Sequence, residues 1–454
     1  MSDGNKTKKQ TLMTEGSIVK SLLLFALPLM VGNVFQQLYN TVDSIVVGNY
    51  VGKEALAAVG STDSIVNTFI GFFTGLSTGA GVVISQYYGA EDDEGVARSV
   101  QTTIALTFIM SIFCTFGAIL LVPKLLVLMG TPGDVFDSAQ SYLRIYFAGV
   151  TGLLFYNMGS GILRAVGDSK RPLYFLIFST ILNILLDILF VVGLNMGVEG
   201  AGYATIIAQG VSALLILLVL TMEKRNYRIQ WRRVRLHKNI LRQIITVGLP
   251  AALQMMITSF SNVFVQSYIN KFGSAAMAGW SSYGKIDKVC MLPIQSVGLS
   301  VTTFVGQNLG AGKADRAKKG TGVGIRICLV TAVVLIIPTW IFAPQLVGLF
   351  NGDEEVLYYG ALFMRLLMPF YIAICANQVY AGSLRGAGNS TAPMIIMMSC
   401  FILFRQIYLF AMSRITDSVI PIALGYPMGW VLCSIIMTIY YRTIDLGKYK
   451  LTEK

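Results

Sequence analysis

The sequence predicts an all-α membrane protein, with twelve transmembrane helices in two six-helix bundles related by a pseudo-two-fold axis along the membrane normal. Three observations predict it. Of 454 residues, 54% are hydrophobic and only 13% are charged, whereas soluble chains carry about 25% charged residues. The apolar residues fall in runs of about 20, the length that crosses a bilayer. The second half of the chain repeats the first.

The predicted helices lie near 18–46, 53–88, 95–122, 136–162, 172–194, 199–222, 240–270, 275–309, 320–343, 355–384, 392–412 and 418–441. Several exceed a simple span, which implies tilt or bending, and Pro28, Pro250 and Pro293 are the expected bend sites. The opening segment "MSDGNKTKKQTLMTEGSIVK" has no cleavable apolar core, so the first run is expected to remain a helix. Lys and Arg set the sidedness. Twenty-five lie on the side carrying both termini, eight of them in the stretch 223–242, against Lys53, Lys124, Lys271 and Arg414 on the other. Both termini are therefore expected in the cytoplasm. The net charge of +12 is explained by these loops and needs no nucleic acid.

The repeat is explicit. "GILRAVGDSKRP" (161–172) matches "GSLRGAGNSTAP" (382–393) at a spacing of 221. The same spacing relates Gln86 to Gln307, Gly89 to Gly310 and Arg144 to Arg365, while Pro28 and Asn40 meet Pro250 and Asn262 at 222. The expected organisation is an N-terminal lobe over 1–222, a basic cytoplasmic linker over 223–239 and a C-terminal lobe over 240–454. Six helices per lobe give both the same orientation, with a site between them near the midplane. That is the architecture of an alternating-access transporter, here expected to be monomeric.

Other chemistries find little support. "GLSTG" (75–79) fits the G-x-S-x-G hydrolase pattern but lies inside a long helix rather than on a strand–turn–helix elbow. Gly71, Gly75 and Gly79 instead make a smooth face for close helix packing. "GTGVG" (320–324) follows no strand and is no dinucleotide loop. No Walker motif is present, so this chain does not power itself by hydrolysing ATP. The six cysteines are scattered singly, His237 sits in a basic loop, and neither an enzyme nor an organic cofactor is indicated. "EDDE" (91–94) lies at a helix junction, where a helix N-terminus favours its charge.

The buried polar groups converge elsewhere. "STILNILLDIL" (179–189) places Asn183 and Asp187 on one face of the fifth helix. An aspartate at the bilayer centre costs about 2.5–3.5 kcal/mol on insertion scales, so a function is expected of it. Asp43 lies in the outer half of the first helix, and Thr205 at similar depth in the sixth. Two carboxylates, an amide carbonyl and a hydroxyl suit a hard cation such as Na⁺, and equally a proton, since burial and a like-charged neighbour both favour protonation. At a spacing of 221 the second-half counterparts of Asn183, Asp187 and Thr205 are Phe404, Tyr408 and Tyr426, and Asp43 meets Phe264 or Val265. Polar groups serving only as scaffold would be expected in both copies.

A polar stripe runs down the first helix: Asn33, Gln36, Gln37, Asn40, Asp43 and Ser44. Its repeat shows Gln254, Thr258, Asn262 and Gln266. Asn33, Gln36, Asn40, Gln254, Thr258, Asn262 and Gln266 are the candidate lining of a substrate cleft; the alternative is polar packing between helices.

At these residues the chain resembles a known family, the multidrug and toxic compound extrusion (MATE) transporters. "PLMVGNVFQQLYNTVDSIVVGNYVGKEALAAVG" resembles the family's first-helix signature, with its aspartate at Asp43; "ISQYYGA", "VGQNLGAG" and "LRAVGDSKRP" resemble its motifs after helices 2, 8 and 4. The spacing of Asn183, Asp187 and Thr205 resembles its N-terminal-lobe cation site. The resemblance implies a Na⁺- or H⁺-coupled antiporter that exports organic, often cationic and amphipathic compounds. In NorM-like relatives acidic residues on helices 7 and 10 serve coupling; here the middles of those helices have none, which points to the first lobe. Asp287 on the eighth helix lies between Lys285 and Lys288, two available ion-pair partners. A flippase for lipid-linked sugars is the alternative; it requires a basic cleft, and these stripes are neutral or acidic.

Overall fold

The computed structural model describes residues 13–452, apart from the side chains at 40, 44, 53, 54, 56, 57, 61, 63, 64 and 259–264. The described residues form helices and no strands. They are α1 (Ile18–Tyr50), α2 (Lys53–Gly89), α3 (Asp93–Leu128), α4 (Gly133–Ala148 and Val150–Ala165), α5 (Lys170–Asp187, prolonged by a π-helical turn Ile188–Gly193) and α6 (Gly197–Met222). After the linker come α7 (Lys238–Ile269), α8 (Ser274–Gly310), α9 (Ala314–Ile341) and α10 (Glu354–Leu367 and Tyr371–Ala387). Last are α11 (Thr391–Met398, a π-turn Ser399–Phe404, then Arg405–Ile415) and α12 (Val419–Ala423 and Gly425–Thr443). Eleven of these, among the described residues, are long and apolar enough to cross a membrane. The twelfth, α4, is interrupted at Gly149 and carries Asp134, Asp137, Arg144 and Arg164. Pro28, Pro250 and Pro293 lie inside helices that continue through them.

Local chemistry sets several boundaries. Asp92 of "EDDE" caps α3, its Oδ1 accepting from the Gly95 N–H at 2.9 Å. This moves the start of α3 ahead of the predicted 95, because the cap satisfies a donor that helix ends leave open. Asp168 caps α5 by accepting from Lys170 and Arg171 N–H. Asn389, its counterpart, caps α11 by accepting from Ala392 N–H at 3.1 Å. The two copies of the repeated motif thus do the same local work.

The halves meet along α2 and α7. A Cβ on Gly75 would strike the backbone of Ala251 and Ala252, and one on Gly79 the backbone of Gly248. The glycine face of α2 is therefore a helix crossing, where backbones approach closely because no side chain intervenes. At the face of the bundle where Met13 and Leu451 lie, a Cβ on Gly89 would strike Gln307 O and one on Gly310 would strike Gln86 O. There Gln86 Nε2 donates to Gly386 O and Ala387 O, both at 3.0 Å, and Gln307 Nε2 donates to Ala165 O at 2.8 Å.

Helix α1 belongs to both halves. Leu22, Phe25, Ala26 and Leu29 are buried in one apolar cluster with residues of α8–α12, and Leu22 O accepts from Ser300 Oγ at 3.0 Å. Further along, Val46 and Val47 are buried with Val191, Val198 and Ala201 of the first half. Pro28, which cannot donate a ladder bond, lies between these two attachments.

Candidate functional site

The residues singled out in the membrane occupy the first half, where α1, α5 and α6 pack together. Asn183 and Asp187, one turn apart on α5, are both 0% exposed. Asp43 on α1 and Thr205 on α6 are buried as well. Asp43 and Asp187 lie within electrostatic reach of each other. Tyr39, on the same face of α1 as Asp43, lies within reach of both carboxylates and donates its hydroxyl to Thr205 Oγ1 at 2.9 Å. Nothing in a tyrosine four residues before an aspartate distinguishes it from an ordinary membrane aromatic, so sequence reasoning missed it; the shared helical face was the available signal.

Four atoms decide what this site can do. Both side-chain atoms of Asn183 and both carboxylate oxygens of Asp187 are buried with no hydrogen-bond partner. A buried polar atom without a partner costs about 1–3 kcal/mol, and more if charged. For the oxygens, the cost is lowered if a cation bridges them or if a proton neutralises a carboxyl. The donors are hard oxygens, and among the described residues no group of three or more His, Cys, Asp or Glu gathers to hold a softer metal. The chemistry of the set fits Na⁺ or H⁺. Immediately after Asp187, α5 leaves α-helical geometry for the π-turn Ile188–Gly193, a feature frequent at functional sites. Further along α1 and α5, Val46, Val47 and Val191 are buried in one apolar cluster with Val198 of α6.

The stripe residues take varied environments. Asn33 Nδ2 reaches Ser296 Oγ of α8 at 3.4 Å, and Gln36 is exposed. Gln254 is buried, with Nε2 2.9 Å from Met397 Sδ of α11. Thr258 donates back to Gln254 O within α7. Gln266 donates to Asn270 Oδ1 at 2.8 Å. The side chains of Asn40, Ser44 and Asn262 lie outside the described residues. The two stripes are therefore unequal: α1 points a polar group at the other half, whereas Gln254 is engaged inside its own half.

Asp287 departs from its reading as a lysine-paired residue. Its Oδ1 accepts from the Tyr283 hydroxyl at 3.0 Å and from that of Tyr371. Lys285 turns instead over the Phe350 ring, 5.0 Å from its centroid. Tyr283 lies one turn before Asp287 on α8 and Tyr371 comes from α10, a partner that only tertiary packing supplies.

The MatE family model matches twice, over 28–189 and 250–410, so its two matches start 222 residues apart. Two Bacillus subtilis proteins resemble the whole chain. "Probable multidrug resistance protein YpnP" is 30% identical over 96% of this chain and 97% of its own; "Probable multidrug resistance protein YoeA" is 29% identical over 97% of each. Among solved structures, an outward-facing conformation of a multidrug resistance MATE family transporter superposes with TM-score 0.91 at 26% identity, covering 98% of this chain and 100% of that one. A MATE complex with MaL6 matches equally well, with TM-score 0.91 and 26% identity over 98% and 100% of the two chains.

Proposed function

Because the chain belongs to the MatE family of membrane transporters, we propose that it is a secondary multidrug exporter that exchanges a monovalent cation, Na⁺ or H⁺, for organic and often cationic amphipathic compounds. The observation that carries this reading is the set of unpartnered, fully buried atoms of Asn183 and Asp187 beside Asp43. The oxygens of that set are satisfied by a cation or a proton shared among them. Asn183 and Thr205 add neutral oxygens that a metal ion uses and a proton does not, which favours Na⁺. The working form is a monomer in the bacterial cytoplasmic membrane, with both termini in the cytoplasm.

The Gln86 and Gln307 contacts hold the terminal face shut, as an outward-facing state requires, and the likeness to an outward-facing relative agrees with it. A cation arriving from outside meets Asp43 and Asp187 first and draws the outer half of α1 onto α5 and α6. Because Leu22–Leu29 are anchored on the second half, this motion is taken up near Pro28 and displaces Asn33 from Ser296. By linkage, cation binding expels substrate only if it favours a state that holds the substrate less well. The test is efflux from proteoliposomes with Na⁺ and proton gradients imposed separately against a panel of dyes and drugs. Transport that ignores both gradients refutes the coupling.

A further inference from the structure

The second half contains a buried cation of its own, Arg405, and its position follows from the π-turn in α11. In α5, the inward-facing positions are Ser179, Asn183 and Asp187, all buried, at successive spacings of four. In α11, from the π-turn onward, the buried positions are Cys400, Arg405 and Leu409. Cys400 corresponds to Ser179 at the usual 221. Cys400 lies inside the π-turn Ser399–Phe404, and a π-turn closes with i→i+5 bonds rather than i→i+4. One additional residue enters the turn, and every later side chain rotates by about 100° around the helix. The residue brought to the place of Asn183 is therefore Arg405, 2% exposed, and Leu409, 0% exposed, comes to that of Asp187. Phe404 and Tyr408, which stand there at a fixed spacing of 221, are rotated out of the buried row.

The register of the neighbouring helix agrees. At a spacing of 221, buried Val419, Ile422, Ala423, Gly429 and Cys433 of α12 fall on buried Val198, Ala201, Gly202, Ala208 and Ser212 of α6. Tyr426 therefore corresponds to Thr205. The Arg405 guanidinium lies over the ring of Tyr426, 4.5 Å from its centroid. The first half thus arranges oxygens to take up a cation, and the second half places a guanidinium against an aromatic face at the equivalent position. Asp287, a carboxyl of the second half, is held by Tyr283 and Tyr371, and the Trp280 ring lies 5.5 Å from that of Tyr426.

We propose that Arg405 is the tethered cation of the second half: it fills the place in which the first half binds its exchangeable ion, so the second half stays in the ion-occupied arrangement and only the first half switches. The proposal rests on the coupled-exporter reading above. A charge inside a membrane helix is costly, and a leucine or methionine would fill this space without that cost. The guanidinium is retained because packing of the second half needs a cation there at every stage of the cycle.

Arg405 is a positioning residue, and its test separates charge from volume. Purified Arg405→Lys, Arg405→Met and Arg405→Ala are compared with the parent for folding, by size exclusion and thermal unfolding, and for gradient-driven export. The lysine variant is expected to export within about threefold of the parent. The methionine variant is expected to stay folded and lose at least about tenfold, a coupling within the usual allosteric range. About 10 mM guanidinium, well below denaturing concentrations, is expected to restore most of the loss in the alanine variant and do nothing for the parent. Full export by the methionine variant, absence of guanidinium rescue, or loss of the folded peak in the methionine variant each overturns the proposal. A parent that ignores both ion gradients refutes the exporter reading instead, whereas guanidinium-dependent unfolding of the alanine variant still reports on Arg405.

Discussion

Gln86 and Gln307, 221 residues apart, make the same bond in opposite directions across the two halves. Gln86 Nε2 donates to the carbonyls ending α10, and Gln307 Nε2 donates to a carbonyl ending α4. Each side-chain carbonyl then accepts a backbone N–H from a terminal segment: Leu451 N at 2.8 Å for Gln86 and Met13 N at 3.0 Å for Gln307. Helix ends leave carbonyls without partners, and here each half satisfies the other's.

Replacing either glutamine by leucine should therefore loosen the terminal face. Each change strands buried groups at about 1–3 kcal/mol. Because both act on one closure, their effects should be non-additive. Hydrogen exchange of residues 163–168 and 384–389 measures this; exchange as slow as in the parent would show that the glutamines do not hold the face.

Asp187→Asn should keep the fold and lose most ion-driven export. The amide preserves volume and removes the charge that a cation or proton pairs with. Asp43→Asn should cost about as much, and the double variant little more, because carboxylates sharing one ion titrate as a unit. Losses that add independently in a double-mutant cycle of transport rates would separate the two residues.

Gly79→Val should cost stability rather than change specificity. Its Cβ would meet backbone atoms of Gly248 and Ile244, which cannot move aside as a side chain would. Overpacking of this kind costs about 1–3 kcal/mol or more. Thermal unfolding in detergent measures it, and an unchanged midpoint would mean the helices can part freely.

Glu223, at the start of the linker, gives a pH test. Burial alone raises its pKa, but the Arg171 guanidinium at 2.9 Å and the Tyr227 hydroxyl at 3.0 Å donate to it. Together with the Lys224 N–H they outweigh burial, so the carboxyl is held below its ordinary value. A depressed carboxylate contributes stability that is complete above the unfolded pKa and is lost as pH falls through the folded one. Glu223→Gln should thus be less stable than the parent by about 1 kcal/mol near neutrality, and the gap should close on acidification below about pH 4. A gap that widens in acid would reverse the assignment.

Asn33→Ala should change the relative export of different compounds more than the overall rate. Among the described stripe residues Asn33 reaches the opposite half, through Ser296, and polar groups of this kind orient ligands in an apolar cleft. A uniform loss across a drug panel, tracking loss of folded protein, would mark the contact as packing.

The helices, their duplication and the glycine face of α2 were all legible in the amino-acid sequence. Run length, spacing and side-chain size act locally and survive any arrangement of neighbours. The grouping of Asp43, Asn183, Asp187 and Thr205 was legible as an expectation because helix direction and depth follow from the same run lengths. Three features were decided by tertiary structure alone. Tyr39 joins the site because α6 brings Thr205 to it. Asp287 is held by a tyrosine of α10 rather than by its lysine neighbours. Arg405 faces inward because a π-turn adds a residue to α11, and a reading at 3.6 residues per turn carries the wrong face past it. Local hydrogen bonding of both helix types is satisfied by the same residues, so only the packing of α11 against α12 determines which register is adopted.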